Sequence, residues 1–135
     1  MFRPEQGSSA DRALAGGYDG PEAFLDDLFG HAWTDNRRAI LLVYSVFGEL
    51  SREDRRAVLR HDAALVGRIE RYIRTEAGLP DDDPRAAVVA NLVVFPNAFV
   101  PFRDWYTRDV SDEVIRRTVV DGVAAIIRGL ADEQR

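Results

Sequence analysis

The sequence predicts an all-α domain: a bundle of five helices, the fourth kinked by prolines. Three observations predict it. Helix start and stop signals recur along the chain from Pro21 onward, and apolar residues return at three- and four-residue spacing in one segment after another. No stretch sustains the period-two alternation of a half-buried strand. With 135 residues and 46% hydrophobic content, the chain has room for one domain with an ordinary apolar core.

Residues 1–20 are polar and glycine-rich and read as a flexible leader; residues 21–135 form the domain. Pro21 suits a first helical position, where its missing N–H would have no partner. Phe24, Leu25, Leu28, Phe29, Ala32 and Trp33 then give the first helix one apolar face. Thr34-Asp35-Asn36 interrupts it and caps a second helix from Arg37 to about Leu50. That helix is apolar nearly all round, which predicts a central position packed on several sides. Ser51-Arg52-Glu53-Asp54 resembles a capping box and opens a long third helix that stops at Gly78, with Pro80 just beyond. Asp83 caps the fourth helix and Pro84 takes its first position. Pro96 and Pro101 inside that helix each remove a backbone donor, so a kink or break is expected between Leu92 and Asn97. Residues 107–110 form a short connection. Ser111 then caps the fifth helix, whose stripe is Ile115, Val119, Val123, Ile126 and Leu130.

Charge and chemistry exclude several classes. There is no cysteine, so disulfides, thiolate metal sites and a cysteine nucleophile are ruled out. The net charge of −5 opposes binding to a phosphate backbone, and the Arg37-Arg38, Arg52/Arg55/Arg56/Arg60 and Arg116-Arg117 clusters alternate with acids as a solvated helix face does. No apolar run approaches the ~18 residues of a membrane span, and the first residues lack the layout of a secretion signal, so a cytoplasmic protein is expected. Asp27 and His31 share a helix face but supply too few ligands for a metal. Neither Ser45 nor Ser51 has an evident histidine base. No enzyme, no metal and no cofactor is expected.

The unusual feature is the crowding of aromatic and amide side chains in the apolar helices. Aromatic stripes more often fill a core than line a pocket, yet Asn91 and Asn97 fall at core positions where an amide needs a partner. A kinked, aromatic bundle dotted with amides predicts a cavity. Its expected walls are Phe29, Trp33, Tyr44, Phe47, Leu65, Ile69, Asn91 and Phe95, with Tyr44 and Asn91 supplying hydrogen bonds to a small, mostly apolar ligand.

From Pro21 to Leu130 the chain resembles the C-terminal half of TetR-family (tetracycline-repressor-like) transcriptional regulators. The resemblance lies in the order of helices, in Ile69-Glu70-Arg71-Tyr72-Ile73-Arg74 and in Asp83-Pro84-Arg85-Ala86-Ala87-Val88-Val89-Ala90-Asn91-Leu92. It continues through Trp105 and the closing segment from Val114-Ile115 to Gly129-Leu130. It implies a domain that binds a small effector and forms a homodimer through its last two long helices. Phe99, Phe102, Trp105, Val119, Gly122, Val123, Ile126 and Ile127 are the expected interface. The family's helix-turn-helix has no counterpart in residues 1–20, so DNA would be reached only through such a domain and not through this chain. The alternative is a helical protein-interaction module with a filled core and no ligand.

Overall fold

The computed structural model describes residues 17–35 and 37–135, without the side chains of residues 35, 98, 99, 101, 102 and 104. Among the described residues it is all-helical, with six α-helices and no strand. The leader lies outside them up to residue 16. Of the rest, Tyr18 packs edge-on against Phe24 and donates its hydroxyl to Asp27.

Gly20, at a φ of 102° that favours glycine, turns the chain into α1 (Pro21–Gly30). The helix then widens into a π turn, His31–Asp35, which carries Trp33. Helix α2 (Arg37–Val46) follows and ends in a 3₁₀ turn, Phe47–Glu49. Helix α3 (Arg52–Ala77) has the expected limits: Ser51 Oγ accepts from the Asp54 N–H at 3.1 Å, and Gly78 closes it at a φ of 67°. Asp83 accepts from the Arg85 N–H at 3.0 Å and opens α4 (Arg85–Phe102). A separate turn, α5 (Asp104–Thr107), precedes α6 (Asp112–Glu133), where Ser111 Oγ accepts from the Val114 N–H at 3.3 Å. The sequence pattern runs the fourth helix on through Trp105, whereas the structure ends it at Phe102 and sets Trp105 in this separate turn.

The core fills one end of the bundle. Phe24, Leu25 and Phe29 of α1, Ile69 and Ile73 of α3, Ala86, Ala90 and Val93 of α4, and Ala124 and Ile127 of α6 are fully buried together. Each large side chain contributes roughly 1.5–3 kcal/mol by leaving water. Exposed ion pairs join the helices of the bundle: Arg85 with Glu133 and Arg128 with Glu22 at this end, and Arg116 with Asp26 at its border with the other. The first runs from the start of α4 to the end of α6, so these two helices are antiparallel neighbours. Pairs this exposed add at most about 1 kcal/mol each.

The other end is open. Every residue from 51 to 64 at the start of α3 is exposed or half-buried. Helix α2 does not take the central place its sequence suggested: none of its residues is buried, and Leu42 and Tyr44 face outward. Among the described residues it packs mainly against the π turn and α4, and the side bearing Leu42 and Tyr44 is left uncovered. Helix α4 runs unbroken through Pro96 and Pro101. The Pro96 carbonyl accepts from the Trp33 indole N–H at 2.9 Å, which ties the π turn to α4.

Candidate functional site

Of the residues expected to wall a central cavity, Phe29, Trp33, Leu65 and Ile69 meet in or against the packed core, while Tyr44, Asn91 and Phe95 lie at the surface. Phe29 and Ile69 are fully buried in the packed core, and Leu65 lies half-buried at its edge. Trp33 stacks on Phe29, ring centroids 5.0 Å apart and planes within 5°. Tyr44, Asn91 and Phe95 are exposed and Phe47 is half-buried. Asn91 satisfies its amide locally by donating to the Ala87 carbonyl at 2.9 Å, the back-bond of a helix surface position. The second amide, Asn97, is buried, and its Oδ1 has no hydrogen-bond partner. Burial, and then the nearby Asp62 charge, pushes the Tyr44 phenol up, so it stays protonated at neutral pH.

Two concavities occur instead at the open end. The first is a cleft of about 420 Å³ between the π turn, the start of α2, the end of α4, α5 and the start of α6. Trp33 and Trp105 supply flat apolar surface there, and among the described side chains Arg37, Arg108 and Arg116 line it together with Asp112. Arg116 is held from outside the lining by Asp26, through the carboxylate at 2.6 Å and the backbone carbonyl at 2.8 Å. A Cβ on Gly30 would come within 2.5 Å of that guanidinium, so the glycine at the end of α1 makes room for it. The second is an almost wholly apolar groove of about 500 Å³ between α4 and α6, lined by Phe95, Pro96, Val114, Thr118 and Val119 among others. Arg103, at its edge, lies 5.4 Å from the Trp105 ring centroid, a cation–π contact.

The expected interface residues divide in two. Val123, 8% exposed, and Ile127, fully buried, belong to the protomer's own core. Ile126, 43% exposed, and Gly122, with open space where a Cβ would sit, face outward, and Val119 is half-buried. Trp105 is exposed on α5, while the side chains of Phe99 and Phe102 lie outside the described residues. Sequence reasoning missed Val88 and Leu92, which are exposed on the same side of α4 as Phe95. Their i, i+4, i+7 spacing was visible, but it was hidden by an equally apolar opposite face. The cleft arginines were also missed, because Arg37, Arg108 and Arg116 converge only once the chain is folded.

Among the described residues, no group of three or more histidine, aspartate or glutamate side chains gathers as a metal site would, and no helix is long and apolar enough to cross a membrane. In comparisons with known proteins, the sequence matches no family model, no curated protein and no solved structure.

Proposed function

We propose that this chain is an effector-binding and dimerisation domain of the TetR-like kind, working in the cytoplasm. The observation that carries this reading is the outer face of the antiparallel α4–α6 pair. Val88, Leu92 and Phe95 stand exposed on α4, and Ile126 and the open positions Gly122 and Gly129 on α6. Exposed apolar side chains on two packed helices mark an interface when they join into one patch. Two such pairs related by a two-fold axis would make a four-helix contact with apolar side chains at its centre. A bend in α4 at its prolines belongs to the same reading and would turn the end of the helix over the cleft. DNA is contacted through a separate helix-turn-helix, in keeping with the net charge of −5 here.

Sedimentation velocity at tens of micromolar is the direct test. The unmodified chain should run as a dimer and Leu92→Asp as a monomer, with unchanged helical circular dichroism because Leu92 lies outside the core. A monomeric unmodified chain would remove the proposal. The second reading, an interaction module with a filled core, is favoured by the complete burial of Phe29 and Ile69 at expected pocket walls. It requires that no small molecule stabilise the chain in a thermal-shift screen.

A further inference from the structure

The cleft and the groove are two ends of one trough, because Val100, Thr107, Val110 and Ile115 line both. One end carries Arg37, Arg108 and Arg116; the other is walled mostly by apolar side chains, with Arg103 at its edge turned to the Trp105 ring. We propose that this trough binds a single-tailed organic anion, a medium-chain fatty carboxylate, with its head beside Arg108 and its tail between α4 and α6. The inference names the ligand class for the sensing role above and rests on that reading.

Charge sets the polarity of the ligand. Among the described side chains, Arg37, Arg108 and Arg116 line the cleft with Asp112, and Asp26 pairs with Arg116 from outside it, so an anionic head is favoured over a cationic one. Arg116 is committed to Asp26, which holds its plane at the rim of the cleft. Arg108 is exposed, with no ion pair to any described residue, and so can turn toward an incoming carboxylate. Apolar contact with Phe95, Val114 and Val119 rewards tail length rather than a particular pattern of hydrogen bonds. Each concavity lies within the usual size range of small-molecule sites.

The test is calorimetric titration of the full chain with decanoate below its micellar concentration, beside decanol and decyltrimethylammonium. Decanoate should bind saturably, and both comparison ligands about tenfold or more weaker. Arg108→Gln should weaken decanoate about tenfold while leaving decanol unchanged, a split that a merely structural role would not produce. Val114→Asp, at a position more than half exposed, should abolish binding of both while the fold persists. Absence of saturable decanoate binding, equal affinity for decanol, or an Arg108→Gln variant that binds as before would overturn the proposal. So would a groove already filled by a second copy, seen as Val114→Asp altering sedimentation in a chain that takes up no decanoate. A dimer that ignores decanoate removes this inference and leaves the dimerisation reading intact. A monomer that shows these preferences does the reverse.

Discussion

Helix α3 passes through both regions of the molecule, and its two halves have different fates. Between Ile69 and Ala77 it buries Ile69, Tyr72, Ile73 and Ala77 against α4 and α1, and the Tyr72 ring leans against that of Phe24 with centroids 3.9 Å apart and planes tilted by 43°. Before residue 65 nothing on it is buried, and Leu59 faces water. The same division runs through α4, with Ala86, Val89, Ala90 and Val93 in the core and Phe95 exposed beyond them. Stability is therefore concentrated at one end, and the cleft, the groove and most of the outward aromatics lie at the other. A region spared from holding the fold together is free to present apolar surface to a partner.

A matched pair of truncations on α3 measures how unequally the two ends hold the fold. Ile73→Ala leaves a cavity in a fully buried site and should cost about 2–5 kcal/mol. Leu59→Ala removes a more exposed side chain and should stay within about 0.5 kcal/mol. Urea unfolding of both variants measures the difference. Similar shifts for the two would mean that the open end is part of the cooperative core.

How far the sequence could be read follows the same line. The start and stop of α3 and the capped starts of α4 and α6 were legible, because Ser51, Gly78, Asp83 and Ser111 act on backbone groups within a few residues of themselves. The surroundings of α2 were not. An apolar segment such as Ile40 to Phe47 states that it can be buried, but only the placement of α3 and α4 decides whether partners reach it. The cleft was illegible for a related reason. Asp26 and Arg116 are ninety positions apart in the chain, and nothing local in either marks them as a pair.

An intermediate effect should come from Asp83, at the junction of α3 and α4 in the packed end. Its carboxylate accepts from the Arg85 side chain and backbone, and Arg74 donates to its carbonyl at 2.9 Å. The hydrogen bond from the Arg85 side chain, and then that from the backbone, hold the Asp83 carboxyl at about 2, below its ordinary 3.8. A lowered value means the stabilisation is complete above about pH 4 and is lost as pH falls toward 2. Asp83→Asn keeps a capping oxygen and loses the charge. Its melting temperature should fall below that of the unmodified chain at pH 5, and the gap should close by pH 2. A gap that persists at pH 2 would assign the loss to the cap rather than the charge. Ser51→Ala, which removes a cap at the open end, should raise hydrogen exchange in the first turns of α3 and leave the melting temperature almost unchanged.

The smallest effect expected is at Gly30, and it probes the boundary between the two regions. Alanine there gains roughly 0.5–1 kcal/mol of helix preference. Against this, the new Cβ displaces the Arg116 guanidinium and its bonds to Asp26. That ion pair is partly exposed, so its loss costs no more than about 1 kcal/mol, and the two terms nearly cancel. The cancellation can be separated by a double-mutant cycle. In an Arg116→Ala background the obstruction is gone, and Gly30→Ala should stabilise the chain by the full helix term in urea unfolding. A destabilising Gly30→Ala in that background would place the conflict in the α1 backbone at the π turn rather than in the arginine. If the arginine is the cause, the single variant keeps its stability while its cleft loses a guanidinium, and decanoate affinity falls without any change in the unfolding midpoint.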